Sequence, residues 1–237
     1  DHYWGNQVFT GARIIGHRDM SKDCAGDKNK VPVFKLLHGS RFVQNLLSRL
    51  MGGQFKGFIP EGKPFQMVVK QTEHDFDLTG VIPTPPTEWI DGKTVLDCGG
   101  TSVEVIPVGA VHSSSDTVIW LPKEKVLFAG DIFADCSLPM NLDAARRWLK
   151  VLDYILDELQ PAFIVPGHGE VYDPVRAESQ RSYFRALIDR FEQSYTDTIT
   201  EQELLKKVDL SDFVDHRPRL AWIMAVKTML KEKRKAK

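Results

Sequence analysis

A chain of 237 residues with 42% hydrophobic and 27% charged side chains can bury one sizeable core, which excludes a disordered or coiled-coil protein. Its 31 Lys and Arg nearly balance 32 Asp and Glu, for a formal net charge of -1, so no global field draws nucleic acid or an anionic membrane surface. No apolar run approaches the roughly 20 residues needed to span a bilayer, and Cys24, Cys98 and Cys136 are too scattered for a disulfide framework or a CxxC pair.

After the opening "DHYWGNQVF", the run "GARIIGH" has the β-branched content of a short strand opening at a glycine. The spacing of Phe34, Leu37, Phe42, Leu46, Leu47 and Leu50 predicts one or two amphipathic helices ending at Gly52 and Gly53. From Gly57 to Pro86 the chain is rich in Gly, Pro and Thr and reads as loop, with a strand at "FQMVV". Next come "TVLDCGGTSVEVIPVG", "DTVIWLP" and "KVLFAGD", β-rich runs separated by turn residues. The last two read as a hairpin whose second strand ends at Asp131.

The stretch "LDAARRWLKVLDYILDELQP" places Trp148, Leu149, Leu152, Ile155, Leu156 and Leu159 on one helical face, with Asp143 as the expected N-cap and Pro161 as the stop. A buried strand "AFIV" then runs into "PGHG". A second amphipathic helix turns Phe184, Leu187, Ile188 and Phe191 inward, and Thr200 and Glu203 stand at capping-box spacing. "RLAWIMAVKTMLKE" closes the chain as a further helix, whose basic tail "KEKRKAK" reads as a solvated end. Strand runs followed by helices interleaved with a strand imply an α/β protein of sheets covered by helices.

Five candidate ligands fall at strand ends or in the loops beside them: Asp1, His2, His112, Asp131 and His168. Rigid α/β scaffolds present reactive groups from such loops. Taken singly, each has an ordinary explanation, since a loop histidine is usually a surface residue and an Asp after Gly a turn or cap. His17, His38, His74 and His216 lack ligand-like neighbours and are left out. Trp4 is suited equally to a pocket wall or to core packing.

The joint order "DH", "H…DT…LP", "FAGD", "PGHG" resembles the metallo-β-lactamase fold superfamily, whose members carry HxHxDH, then His, Asp and a final His. The resemblance covers nearly the whole chain, and Asp1 and His2 match the last two letters of HxHxDH, so the sequence is expected to open inside that motif. It implies a single domain over residues 1–237 with a C-terminal helical extension from about residue 174. The implied architecture is an αββα four-layer sandwich with its N-terminal strands missing.

The resemblance also implies a binuclear zinc site in the complete protein. One zinc would be held by two upstream histidines and His112, the other by Asp1, His2 and His168, with Asp131 bridging. Iron or manganese would suit the same ligand types. A hydroxide between the metals would cleave an ester, thioester, lactone or amide bond in a small-molecule substrate, with Asp1 orienting it and taking its proton. Asp116, Thr117 and Ser113 would hydrogen-bond around the ligands, and the serines from Ser113 to Ser115 would chiefly shape the turn. Selectivity is expected from Phe34 to Met51 and the loop to Pro86. Alternatives are a β-lactamase, a hydroxyacylglutathione hydrolase, disfavoured because "HSSSD" stands where "HTPGH" is expected, or a non-catalytic metal-binding relative. Neither nucleic acid nor membrane is an expected partner.

Overall fold

The computed structural model describes residues 2–27, 80–134, 139, 141–213 and 219–235, and its contacts fall into two compact units, Asp1–Trp89 and Ile90–Lys237. In the first, a 3-10 turn, Trp4–Val8, leads to strand β1, Ile15–His17, and helix α1, Ser21–Asp27; β1 pairs with β2, Glu88–Ile90. The strand expected in "GARIIGH" is therefore present. Thr87 and Glu88 donate their amides to the Ile14 carbonyl, and Arg13 clasps Glu88 through Nε and Nη2 at 2.9 and 3.1 Å. Tyr3, Trp4 and Cys24 form a small core with Met20, Val81 and Trp89 against them, so Trp4 takes the packing role. The helices expected across Phe34 to Met51 and the strand at "FQMVV" lie outside the described residues.

The second unit is built on a five-stranded sheet in the order β3-β4-β5-β6-β7. These strands are β3, Thr94–Cys98; β4, Thr101–Gly109; β5, Asp116–Leu121; β6, Val126–Ala134; and β7, Phe163–His168. The first four form an antiparallel meander. Gly99 and Gly100, at φ +67° and +87°, allow the tight turn between β3 and β4 that a Cβ would oppose, and Asp97 Oδ1 accepts the Gly100 amide at 2.7 Å. The predicted hairpin closes at Leu121↔Val126. Its second strand continues beyond Asp131, because Ile132, Phe133 and Ala134 are buried and extend β6 alongside β7, which joins it in parallel.

Ile106, Val118, Trp120, Leu127, Ala129 and Ile164 share the main core with the helices. At the opposite parity Val105, Ile119, Phe128 and Val165 are successive register partners across β4 to β7. This sheet is thus apolar on both faces, the pattern of a sheet that forms an inner layer.

Helix α2, Leu142–Asp153, follows β6 and is prolonged by a π-helical turn, Tyr154–Leu159. Its N-cap is Asn141, whose side chain accepts the Ala144 amide at 2.7 Å, and not Asp143. Asp143 lies in the first turn and pairs with Arg146 at 3.0 Å. Both types cap well, and Asn141 wins because it is the residue still in extended conformation, φ -163°. The helix stops where Gln160 turns left-handed, φ +53°, just before Pro161.

Helix α3, Pro174–Ser194, starts from the Asp173 cap with proline at N1, and buries Phe184, Leu187, Ile188 and Phe191 as its periodicity predicts. Helix α4, Glu201–Lys207, has the complete Thr200 and Glu203 capping box. The hydrogen bonds from the Thr200 hydroxyl and amide hold the Glu203 carboxyl below its ordinary pKa. Helix α5, Arg219–Lys235, closes the described chain. Its exposed basic end is anchored by Arg234, which donates to the Ile199 carbonyl at 2.7 Å.

Candidate metal centre

His112 sits in the loop between β4 and β5, which Gly109 enters at φ +84°. The first residue of β5 holds this loop. Asp116 accepts the amides of Val111, His112 and Ser113 at 2.9, 2.8 and 3.0 Å on Oδ2, and the Ser113 hydroxyl at 2.8 Å on Oδ1. Ser115 donates its amide to Ser113 Oγ at 3.2 Å, so the serines shape the turn. Thr117 stands opposite Pro107 in the β4-β5 ladder. From α2, Arg147 Nε donates to the Ala110 carbonyl at 3.0 Å.

Asp131 follows Gly130, whose φ of +51° falls where the β6-β7 register shifts. The next residue is fixed from behind: the Ile132 carbonyl accepts Trp148 Nε1 from α2 and Gln180 Nε2 from α3, each at 2.9 Å and buried. In front, Gly167 leaves room for the carboxylate. A Cβ there would overlap Asp131 Oδ1 and lie 3.1 Å from its Cγ.

His168 ends β7, paired with Ala134. Both histidines converge on the aspartate. His112 Nε2 is 3.2 Å from Asp131 Oδ2, and His168 Nε2 is 3.6 Å from Oδ1. Asp131 is 12% exposed, His112 36% and His168 70%, so the carboxylate is the shielded member and His168 the open one. The Trp148 ring meets His112 edge-on, with centroids 6.1 Å apart and planes at 81°.

Two imidazole nitrogens and both carboxylate oxygens are donors suited to zinc. Zinc bonds of 2.0–2.2 Å set neighbouring tetrahedral donors about 3.3 Å apart, and the observed 3.2 and 3.6 Å separations fit a cation between them. Of the other predicted ligands, Asp1 lies outside the described residues. His2 is an exposed turn residue of the first unit. His17 accepts the Asp19 amide on Nδ1 at 3.4 Å; His38, His74 and His216 are not described. Sequence reasoning missed Arg147, Trp148, Gln180 and Gly167. Helical periodicity assigns Trp148 to the core, and no local pattern reveals what an indole N–H or a missing Cβ will meet.

A sheet that brings His112, Asp131 and His168 together at its strand ends, with helices behind it, defines an α/β fold with a candidate metal site. The profile of the metallo-beta-lactamase superfamily matches residues 1–189, and the chain belongs to that superfamily. A metallo-beta-lactamase type 2 from Bacteroides fragilis is 32% identical over 114 residues, 46% of this chain and 45% of that relative; the chain thus spans under half of its length. An inverting sec-alkylsulfatase from Pseudomonas sp. is 17% identical with a TM-score of 0.53, over 62% of this chain and 26% of that one. A metallo-beta-lactamase family protein from Thermus thermophilus is 20% identical, with a TM-score of 0.50 over 97% of this chain and 69% of that one. At these identities the two structural likenesses speak for the fold alone.

Proposed function

We propose that this chain is a metal-dependent hydrolase acting on an ester, thioester, lactone or amide bond of a small molecule. The observation that carries the reading is the placement of Asp131, one oxygen towards each of His112 and His168. A carboxylate so shared can serve two ligand positions at once. His112, Asp131 and His168 would hold the metal, and Asp1 and His2 join the set on the strength of the sequence motif. Zinc, or iron or manganese in its place, supplies Lewis acidity and brings the pKa of water towards neutrality. Asp131 orients both imidazoles, Asp116 keeps the His112 backbone from retreating, and the exposed His168 marks the side open to substrate. Asp1 is the proposed proton acceptor.

The Bacteroides fragilis relative is a metallo-beta-lactamase, which makes β-lactam amides the second substrate class to test. Zinc content and turnover on ester, lactone, thioester and β-lactam panels are measured for the chain and for Asp131→Ala, His168→Ala and His2→Ala. Each variant is expected to lose at least about tenfold in zinc affinity and to keep its Tm within about 2 °C. Full zinc loading and turnover in Asp131→Ala refute the reading. Unaltered zinc affinity in His2→Ala removes His2 from the set.

A further inference from the structure

We propose that Trp148 is a positioning residue of the metal centre: its indole couples Asp131 to His112 and thereby sets metal affinity. The inference rests on the metal-site reading and adds to it a residue that no ligand motif contains.

The argument begins with one carbonyl. Ile132 is the residue directly after Asp131, and its oxygen accepts two buried N–H donors, Trp148 Nε1 and Gln180 Nε2, both at 2.9 Å. A carbonyl has two lone pairs, so both are engaged, by donors from two different helices. The Ile132–Phe133 peptide, one residue past Asp131, is therefore pinned against α2 and α3 where the β6 register shifts, and Asp131 is held through it. Ladder pairing alone would leave this the loosest part of the strand.

The same indole reaches the other ligand. Its ring is edge-on to His112 at 6.1 Å, backed by Phe184 at 5.0 Å, and Trp148 is 1% exposed. One rigid bicyclic side chain therefore touches the His112 ring and the peptide beside Asp131. The preceding residue of α2, Arg147, holds the Ala110 carbonyl of the His112 loop. One step along a single helix thus ties the two ligand-bearing segments to each other. A helix is stiff on this scale and an indole has no internal freedom, so the 3.2 Å between His112 Nε2 and Asp131 Oδ2 is held from outside the site. Metal affinity depends on such outer support because ligands that must be gathered cost entropy at binding.

The test uses cobalt(II) as the probe, added to the whole chain, with affinity read from its visible d–d absorption, and zinc affinity from competition. Asp131→Ala identifies the band that belongs to the site. Trp148→Phe keeps an aromatic ring beside His112 and removes the N–H, leaving Gln180 to satisfy the carbonyl; Trp148→Leu removes both functions. Phe191→Leu, a change at another fully buried aromatic, supplies a control for lost core stability. The expected order is about tenfold weaker cobalt binding for Trp148→Phe and a larger loss for Trp148→Leu, with an altered band in both. Phe191→Leu should lose Tm with unchanged cobalt affinity. Equal cobalt affinity and an unaltered band in both Trp148 variants overturn the positioning role, as does an equal affinity loss in Phe191→Leu. Absence of the band from the unsubstituted protein overturns the metal-site reading itself, and this inference with it. If Trp148→Leu does not fold, Trp148→Phe alone decides.

Discussion

Gly167→Ala should damage the proposed metal centre far more than it damages the fold. The added methyl would lie 3.0 Å from the Gly130 carbonyl carbon and 3.1 Å from Asp131 Cγ, and would overlap Oδ1. Ordinary contact needs about 3.5 Å, so the carboxylate must withdraw by about 1 Å or more. Metal-ligand distances tolerate about ±0.2 Å, several times less than this shift. Both partners of Asp131, His112 at 3.2 Å and His168 at 3.6 Å, would lose their alignment with it. A loss of about 100-fold in zinc affinity, or about 2.7 kcal/mol, is expected, with a similar drop in turnover. Overpacking at one point costs about 1–3 kcal/mol of stability, so the protein still folds. Gly92→Ala is the control, since nothing lies within 4 Å of the added methyl. Zinc titration by competition, with Tm measured in parallel, makes the comparison. Wild-type zinc affinity in folded Gly167→Ala would refute the placement of the Asp131 carboxylate in a ligand set.

Asp116→Ala strips the acceptor from the amides of Val111, His112 and Ser113; zinc affinity should fall about tenfold, and unchanged binding would show that the His112 loop holds its shape without it. Burial pushes the Tyr183 phenol up from its ordinary value. A raised folded pKa gives stability that is fully present below about pH 10 and lost as pH rises towards the folded value. Tyr183→Phe should therefore flatten the alkaline fall of Tm while keeping the ring contacts with Phe184 and Phe213, and identical alkaline curves for the two proteins would contradict this.

What the sequence made legible was local or motif-borne. The Thr200 and Glu203 capping box, the inward face of α3 and the hairpin at Leu121↔Val126 each depend on neighbours in the chain, and spacing alone reveals them. Sequence alone places the α2 cap two residues late, at Asp143, because Asn141 and Asp143 are chemically interchangeable there and only backbone conformation separates them. The pattern ends β6 too early, at Asp131 after Gly130, whereas the buried Ile132, Phe133 and Ala134 draw the strand onward beside β7. His112, Asp131 and His168 were found as a pattern in order. Their convergence, the close approach at Gly167 and the grip of Trp148 on the Ile132 carbonyl are non-local, and no periodicity encodes them.

The sheet whose two faces are both apolar also bears on how this chain can change over generations. Buried Ile106, Val118, Leu127 and Ile164 on one side and buried Val105 on the other leave the central strands several positions where a polar replacement is costly. Drift is thereby channelled into turns and the outer faces of α2 and α3, while strand positions exchange mainly one aliphatic or aromatic side chain for another of similar volume. Lineages built on such a scaffold can diverge widely in letters and still hold the strand ends, and whatever those ends carry, in register.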